Sequence, residues 1–375
     1  MMRLEKMETK KTPEAIFEAT AKKIIERGYE RMSREHDHGG RDPKIYHVSE
    51  HPRTLEGRAE KIASILGLSP KEHLLVRMGI AFHDLVIGYD TPDPDKLLGV
   101  IRRHRGARVG DIPKGLHGNE AKSAIALAQD MRKANTRAGQ EIFSIEDIGN
   151  ATWTIDATYP NIDLGADSSG APFESYPYFE IAMKNQELKK FVEDSRSKGV
   201  IKGPHFFQPH LEQALEQGTP VPHEVLTVAL SDLGGGGIDA KERFFKEGDD
   251  EMRELYVNLQ SPKTWGSVMQ QNAVGRANRE KVTRALLLWL DRQVGFIVWQ
   301  ALRFEKIMHL SEKNGDITHD EAEKLRALFS NYVPNARATY ERSQIMRKEL
   351  EHITQDKNEY EAFLHLTRSM HFEPR

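Results

Sequence analysis

Apolar residues recur at three- and four-residue spacing along most of the chain, the period of an amphipathic helix. Ile16, Ala19, Ala21, Ile24 and Ile25 give a broken stripe over residues 12–30, and Pro13 suits that helix's first turn. A polar stretch from Ser33 to Asp42, with His36, His38 and paired glycines, reads as a loop. A second helix is expected from Ser49 to Leu66, stopped by Gly67. Ser69-Pro70 then looks like an N-cap followed by proline at the first helical position. The next helix, over 70–88, carries Leu74, Leu75, Val76, Met78, Ile80, Ala81, Phe82, Leu85, Val86 and Ile87 on nearly every face, which places it at the centre of the fold.

Residues 89–118 are rich in proline, glycine and charge and read as a long loop or insert. Helices are expected again from Asn119 to Lys133 and from Ser144 to Thr158. The region 160–203 is ambiguous, with helical period only over 178–194. Val221-Pro222 opens a helix through Leu233, and the glycine run 234–237 reads as a flexible link that ends it. From 239 onward the period is helical, including Val282–Met308, His319–Leu328 and Arg337–Met370. Strand signals are few and short, and no internal repeat is present, so the expected fold class is all-α. The natural divisions are 1–44 as an N-terminal helix and loop, 45–238 as a central domain, and 239–375 as a helical extension packing on that domain or on a second subunit.

Composition narrows the chemistry. Hydrophobic residues at 38% build a core for 375 residues, and 30% charge with negative mean hydropathy places the chain among soluble proteins. A net charge of −3, with little aromatic interleaving of the basic residues, gives no strong nucleic-acid signal. Met1–Lys11 is charged and lacks the apolar run of a signal peptide. Ala285–Leu302 is interrupted by Asp291 and Arg292, so it reads as a buried helix and not a membrane span. The simplest location is the cytoplasm. Cysteine is absent, which excludes disulfides, thiolate metal sites and cysteine nucleophiles and leaves imidazole and carboxylate for any metal: Zn, Fe, Mn, Co, Ni or Mg.

That donor set is concentrated around His83-Asp84. A carboxylate in the most apolar helix needs compensation, by a salt bridge or by a cation. Tyr46-His47-Val48-Ser49-Glu50-His51 opens the preceding helix, and His47 and His51, four apart, share one face if the helix reaches back that far. Asp232 ends a third helix. Such a set can close around one ion, and the ion would hold its imidazole ligands neutral.

The succession Tyr46-His47-x-x-x-His51, Phe82-His83-Asp84, Asn119-Glu120-x-x-Ser123-Ala124 and Asp232-Leu233-Gly234 resembles the HD-domain metal-dependent phosphohydrolases. Ile155-Asp156-Ala157-Thr158 is similar to the helix preceding that family's last ligand, and the likeness covers about 45–235. It implies an HD-domain helical bundle with a C-terminal helical extension. His51, His83, Asp84 and Asp232 would be the metal ligands for one or two divalent ions, and water activated there would cleave a phosphomonoester or phosphodiester of a small, nucleotide-like substrate. His47 matches the position that protonates the leaving oxygen in related phosphodiesterases; a helix-start histidine that caps or packs is the bland alternative. Glu120 would orient the attacking water, support a ligand, or face solvent. Arg102, Arg103 and Arg105 in the insert, with Arg53, Arg58 and Lys122 beside the motifs, are the candidate phosphate partners.

Two other readings compete. An HD-fold di-iron oxygenase needs further histidines: His104 and His117 lie in the loop-like insert, none occurs from 118 to 204, and His205, His210 or His223 would have to fold back. A non-catalytic nucleotide-sensing or scaffold module would use 239–375 for docking, and those same helices suit a homodimer.

Overall fold

The computed structural model describes residues 12–88, 96–98, 118–159, 161–163, 178–197, 205–356 and 359–372. Among the described residues the fold is all-helical apart from one antiparallel pair of three-residue strands, β1 (Asn161–Asp163) and β2 (His205–Phe207), in register Asn161↔Phe207. No helix among the described residues is long and apolar enough to cross a membrane. The basic cluster Arg102, Arg103 and Arg105, with His104 and His117, lies outside the described residues.

The first helix, α1 (Pro13–His36), is capped by Thr12 and runs six residues past the end its stripe suggests, because Tyr29, Met32 and His36 are also buried. Helix α2 (Glu50–Leu66) stops at Gly67, whose φ of 66° is the left-handed conformation glycine adopts without strain. Ser69 and Glu72 form the reciprocal capping box that starts α3 (Pro70–Phe82). Six residues earlier than expected, α3 ends at Phe82: the Leu85 N–H bonds back to the Phe82 carbonyl and the chain turns at His83-Asp84. These two residues therefore stand on the helix's C-terminal end and not within it.

Why α3 is apolar all round is now plain. Leu74, Leu75, Met78, Ala81 and Phe82 enter one core with α1, α4 (Gly118–Ala138) and α5 (Ile145–Asp156), while Val76 and Ile80 enter a second with α2, α9 (His223–Asp232) and the C-terminal helices. The short helices α6 (Phe179–Ala182), α7 (Gln186–Ser197) and α8 (Pro209–Glu216) flank that second core.

The glycine run is not a flexible link. Gly235–Ile238 form a buried helical turn, α10, and a Cβ on Gly237 would come within 2.7 Å of the Phe329 and Tyr332 rings. Bare backbone is what lets those rings close on the end of α9. We expect Gly237→Ala to destabilise the fold by about 1–3 kcal/mol through overpacking, read as a lower midpoint in urea unfolding.

Beyond it, α11 (Lys241–Leu255), a 3₁₀ turn (Val257–Gln260) and α12 (Pro262–Val268) lead into α13 (Ala273–Asn314), a 42-residue helix about 63 Å long at 1.5 Å per residue. Val282, Leu286 and Leu290 on α13 pack in a third core with Met346 and Leu350, while Val294 to Leu310 pack in the second with Tyr332, Val333 and Ala336. Helix α15 (Tyr332–Asp356) therefore runs back along α13, after α14 (His319–Leu328) makes the turn. The last helical stretch divides into α15 and α16 (Glu359–Ser369) and starts five residues before Arg337. Residues 239–375 thus share a core with α2, α3 and α9.

Candidate metal centre

Three helix ends meet at one point. His51 is the second residue of α2, His83-Asp84 follow α3, and Asp232 is the last residue of α9. One ligand atom each from His51, His83 and Asp232 lies within 4.8 Å of the others. Asp84 Oδ2 joins them, 2.9 Å from His83 Nε2 and 3.6 Å from His51 Nε2, and Asp232 Oδ1 is 3.8 Å from both of those nitrogens. His51, His83 and Asp84 are buried, and Asp232 is only slightly exposed.

The histidines differ in their support. His83 Nδ1 donates to the Ile80 carbonyl at 2.8 Å, which orients the ring and leaves Nε2 toward the carboxylates. That Nε2 is fully buried without a hydrogen-bond partner: the nearby Asp84 oxygen is not aligned as an acceptor. A close but unaligned imidazole and carboxylate, with a second imidazole and carboxylate around them, fit a shared cation. Their chemistry, two neutral-capable nitrogens and two carboxylates, suits Zn, Fe, Mn, Co or Ni. In the metal-free state electrostatics divides the pair. Burial holds His51 below its ordinary pKa despite Asp232 and Asp84, whereas at His83 burial is overcome by Asp84's charge, which pushes it up to about 9. A proton on His83 then does part of what a divalent ion would do.

His47 does not stand on α2, which begins three residues later, so it shares no helical face with His51. A turn brings it in instead, with Nε2 4.0 Å from Asp84 Oδ2 and its ring centroid 6.0 Å from that of His51. Tyr46 wedges against both rings, at 4.7 and 4.5 Å. Ser49 does not cap α2 with its side chain; its N–H and hydroxyl both donate to Asp37, just past the end of α1, at 2.7 Å.

The strand of backbone after Asp84 is pinned on three sides. His36 contacts the Leu85 carbonyl at 3.2 Å, Ser123 accepts the Val86 N–H, and the Asn119 amide both accepts from and donates to Gly88. Asn119 and Ser123 of the Asn-Glu-x-x-Ser-Ala motif are thus scaffold for the Asp84 turn. Glu120 between them is buried and lends negative charge to His210. His210 in turn pairs with Asp156 at 2.9 Å and stacks on Tyr159.

Other candidates lie elsewhere. Arg53 and Lys122 are each two residues, about 200° of helix, from His51 and Glu120; both are exposed, and the Arg53 guanidinium sits over the Tyr29 ring. His223 Nε2 contacts the Asp316 carbonyl at 2.7 Å and His210 pairs with Asp156; neither belongs to the His51–His83–Asp232 group.

Glu254 carries no local sequence signal, and Arg58, a candidate phosphate partner from its place after His51, has its guanidinium taken by carboxylates instead. Glu254 of α11 accepts the backbone N–H groups of Ile45, Tyr46 and His47 on Oε2, at 2.9, 2.8 and 3.1 Å, and its Oε1 lies 2.5 Å from His47 Nδ1. Arg58 of α2 is buried against Asp239 and Glu247, and its Nη1 reaches the Ser231 carbonyl beside Asp232 at 3.5 Å. A periodic apolar stripe could have placed α11 beside the core, but not named its partners. Comparison of the chain with family models, with curated proteins and with solved structures returns no match.

Proposed function

We propose that the chain is a metal-dependent phosphohydrolase of the HD type, cleaving a phosphomonoester or phosphodiester of a small, nucleotide-like substrate with activated water. The observation that carries the reading is the convergence of His51, His83, Asp84 and Asp232 from three helix ends, with the buried His83 Nε2 left without a hydrogen-bond partner. His51, His83, Asp84 and Asp232 would hold the ion. When bound, it supplies Lewis-acid polarisation of a phosphoryl oxygen and lowers the pKa of water from about 15.7 toward about 7.

The protein's own groups do the rest. His47 contacts Glu254 through Nδ1, and its Nε2 lies 4.0 Å from Asp84 Oδ2, so His47 would be the group that protonates the leaving oxygen. The burial of His47, His51, His83 and Asp84 strengthens each of these interactions.

The test is metal analysis of the purified protein, followed by p-nitrophenyl phosphate and bis(p-nitrophenyl) phosphate assays with Mn, Fe, Zn, Co, Ni and Mg. We expect about one or two ions per chain and hydrolysis that a chelator removes and metal restores. Protein that takes up no ion, or takes it up and cleaves no phosphoester in a broader nucleotide screen, refutes the reading.

A further inference from the structure

The C-terminal helices reach the centre through one face of α11. Glu247 and Glu254 are seven residues apart, almost two full turns, so both point to the same side. That side meets the segment 45–58: Glu247 takes Arg58, and Glu254 takes the turn that carries His47. Glu254 is buried, and among the described residues four nitrogens converge on its carboxylate, which fixes its orientation. Three of the donors are backbone N–H groups of consecutive residues, which sets the path of the turn; the fourth is the ring whose other nitrogen faces Asp84.

We propose that Glu254 is a positioning residue for the hydrolytic site, acting through His47: it holds the proton on Nδ1 and aims Nε2 at the metal-bound substrate. Helix α11 is then part of the active site and not an accessory to it. The assignment rests on the function proposed above. A carboxylate orienting a histidine through one nitrogen is the general means by which the other nitrogen's role is fixed. Glutamine cannot replace it, because one amide oxygen cannot serve both the backbone cradle and the ring, and the NH₂ would confront one of them.

The experiment uses full-length protein with ¹⁵N-histidine, metal-free and zinc-loaded, with His47→Gln to assign the signal. In wild type we expect His47 Nδ1 to carry a proton in both states. In Glu254→Gln we expect that preference to be lost, metal content to be unchanged, and kcat for a 2′,3′-cyclic nucleotide, whose leaving group is an alkoxide, with manganese to fall about 100-fold with KM within about twofold. Glu254→Asp keeps the charge and should recover part of kcat. A bare Nδ1 in the wild-type protein overturns the assignment without any variant, so it stands or falls even if Glu254→Gln does not fold. Unchanged kcat in a folded Glu254→Gln enzyme overturns it too. Wild-type protein that binds metal and hydrolyses the probe while failing these tests removes Glu254's role alone; wild-type protein that binds no metal removes the function and this role together.

Discussion

Replacing Asp84 with alanine is expected to remove most of the metal-dependent stabilisation while leaving the fold without metal nearly as stable as before. Both halves follow from the charges at the centre. In the metal-free protein Asp84 is a buried carboxylate near a second one, balanced by a proton on His83. Its removal takes away a costly buried charge and the reason for that proton together, so the net change is small. On the proposed reading the carboxylate would be a ligand when metal is present. Loss of supporting partners around metal ligands costs about 10–100-fold in affinity, and a direct ligand should cost at least about 100-fold. At a metal concentration 1,000 times the wild-type Kd, binding stabilises the fold by about 4 kcal/mol; a 100-fold weaker site leaves about 1.4 kcal/mol. Calorimetric melting with and without zinc measures both quantities. An Asp84→Ala protein that gains as much from metal as wild type would show that Asp84 is not a ligand. Hydrolysis should fall with the metal.

How much of this centre was legible beforehand depends on the range over which each residue acts. His83-Asp84 could be found because two ionisable groups in an apolar run demand compensation, and the donors are short-range in sequence. The capping boxes at Ser69 and at Ser144 with Asp147 are likewise local, a hydroxyl and a carboxylate three residues apart. Asp232 is recognisable only as the polar end of an apolar helix; its convergence with His51 is a property of packing. Glu254 sits in a charged, helical stretch where one more glutamate is unremarkable, and its partners are more than two hundred residues away. The Gly234–Gly237 run gives the opposite lesson. Its backbone freedom reads as flexibility, yet the absent side chains serve close approach, with Phe329 and Tyr332 closing on Gly237. His36 reads as loop because nothing around it is apolar, whereas the Leu85 carbonyl it contacts belongs to the turn that presents Asp84.

Arg58→Met should destabilise the protein by about 3–5 kcal/mol and weaken metal binding as well. The guanidinium is almost wholly buried and stays charged, since Glu247 and Asp239 outweigh the cost of burial. Methionine fills much of the volume, so the loss is electrostatic: the Asp239 carboxylate, itself buried, and the largely buried Glu247 are left without their cation. Three elements are tied by that one side chain, namely α2, the α10 turn and α11, with a longer contact to the carbonyl beside Asp232. Loosening it frees the end of α9 that presents Asp232, and a ligand held less rigidly binds metal about 10–100-fold more weakly. Two measurements separate these effects. Urea unfolding of the metal-free protein reads the stability loss, and zinc titration below the unfolding transition reads the affinity. Adding Asp239→Asn and Glu247→Gln to Arg58→Met removes the stranded charges and should recover most of the stability. It should not recover the affinity, because the tie to the Ser231 carbonyl is still missing. Full recovery of both would mean that Arg58 serves only to neutralise its own partners, and that the position of Asp232 is set by the packing of α9 alone.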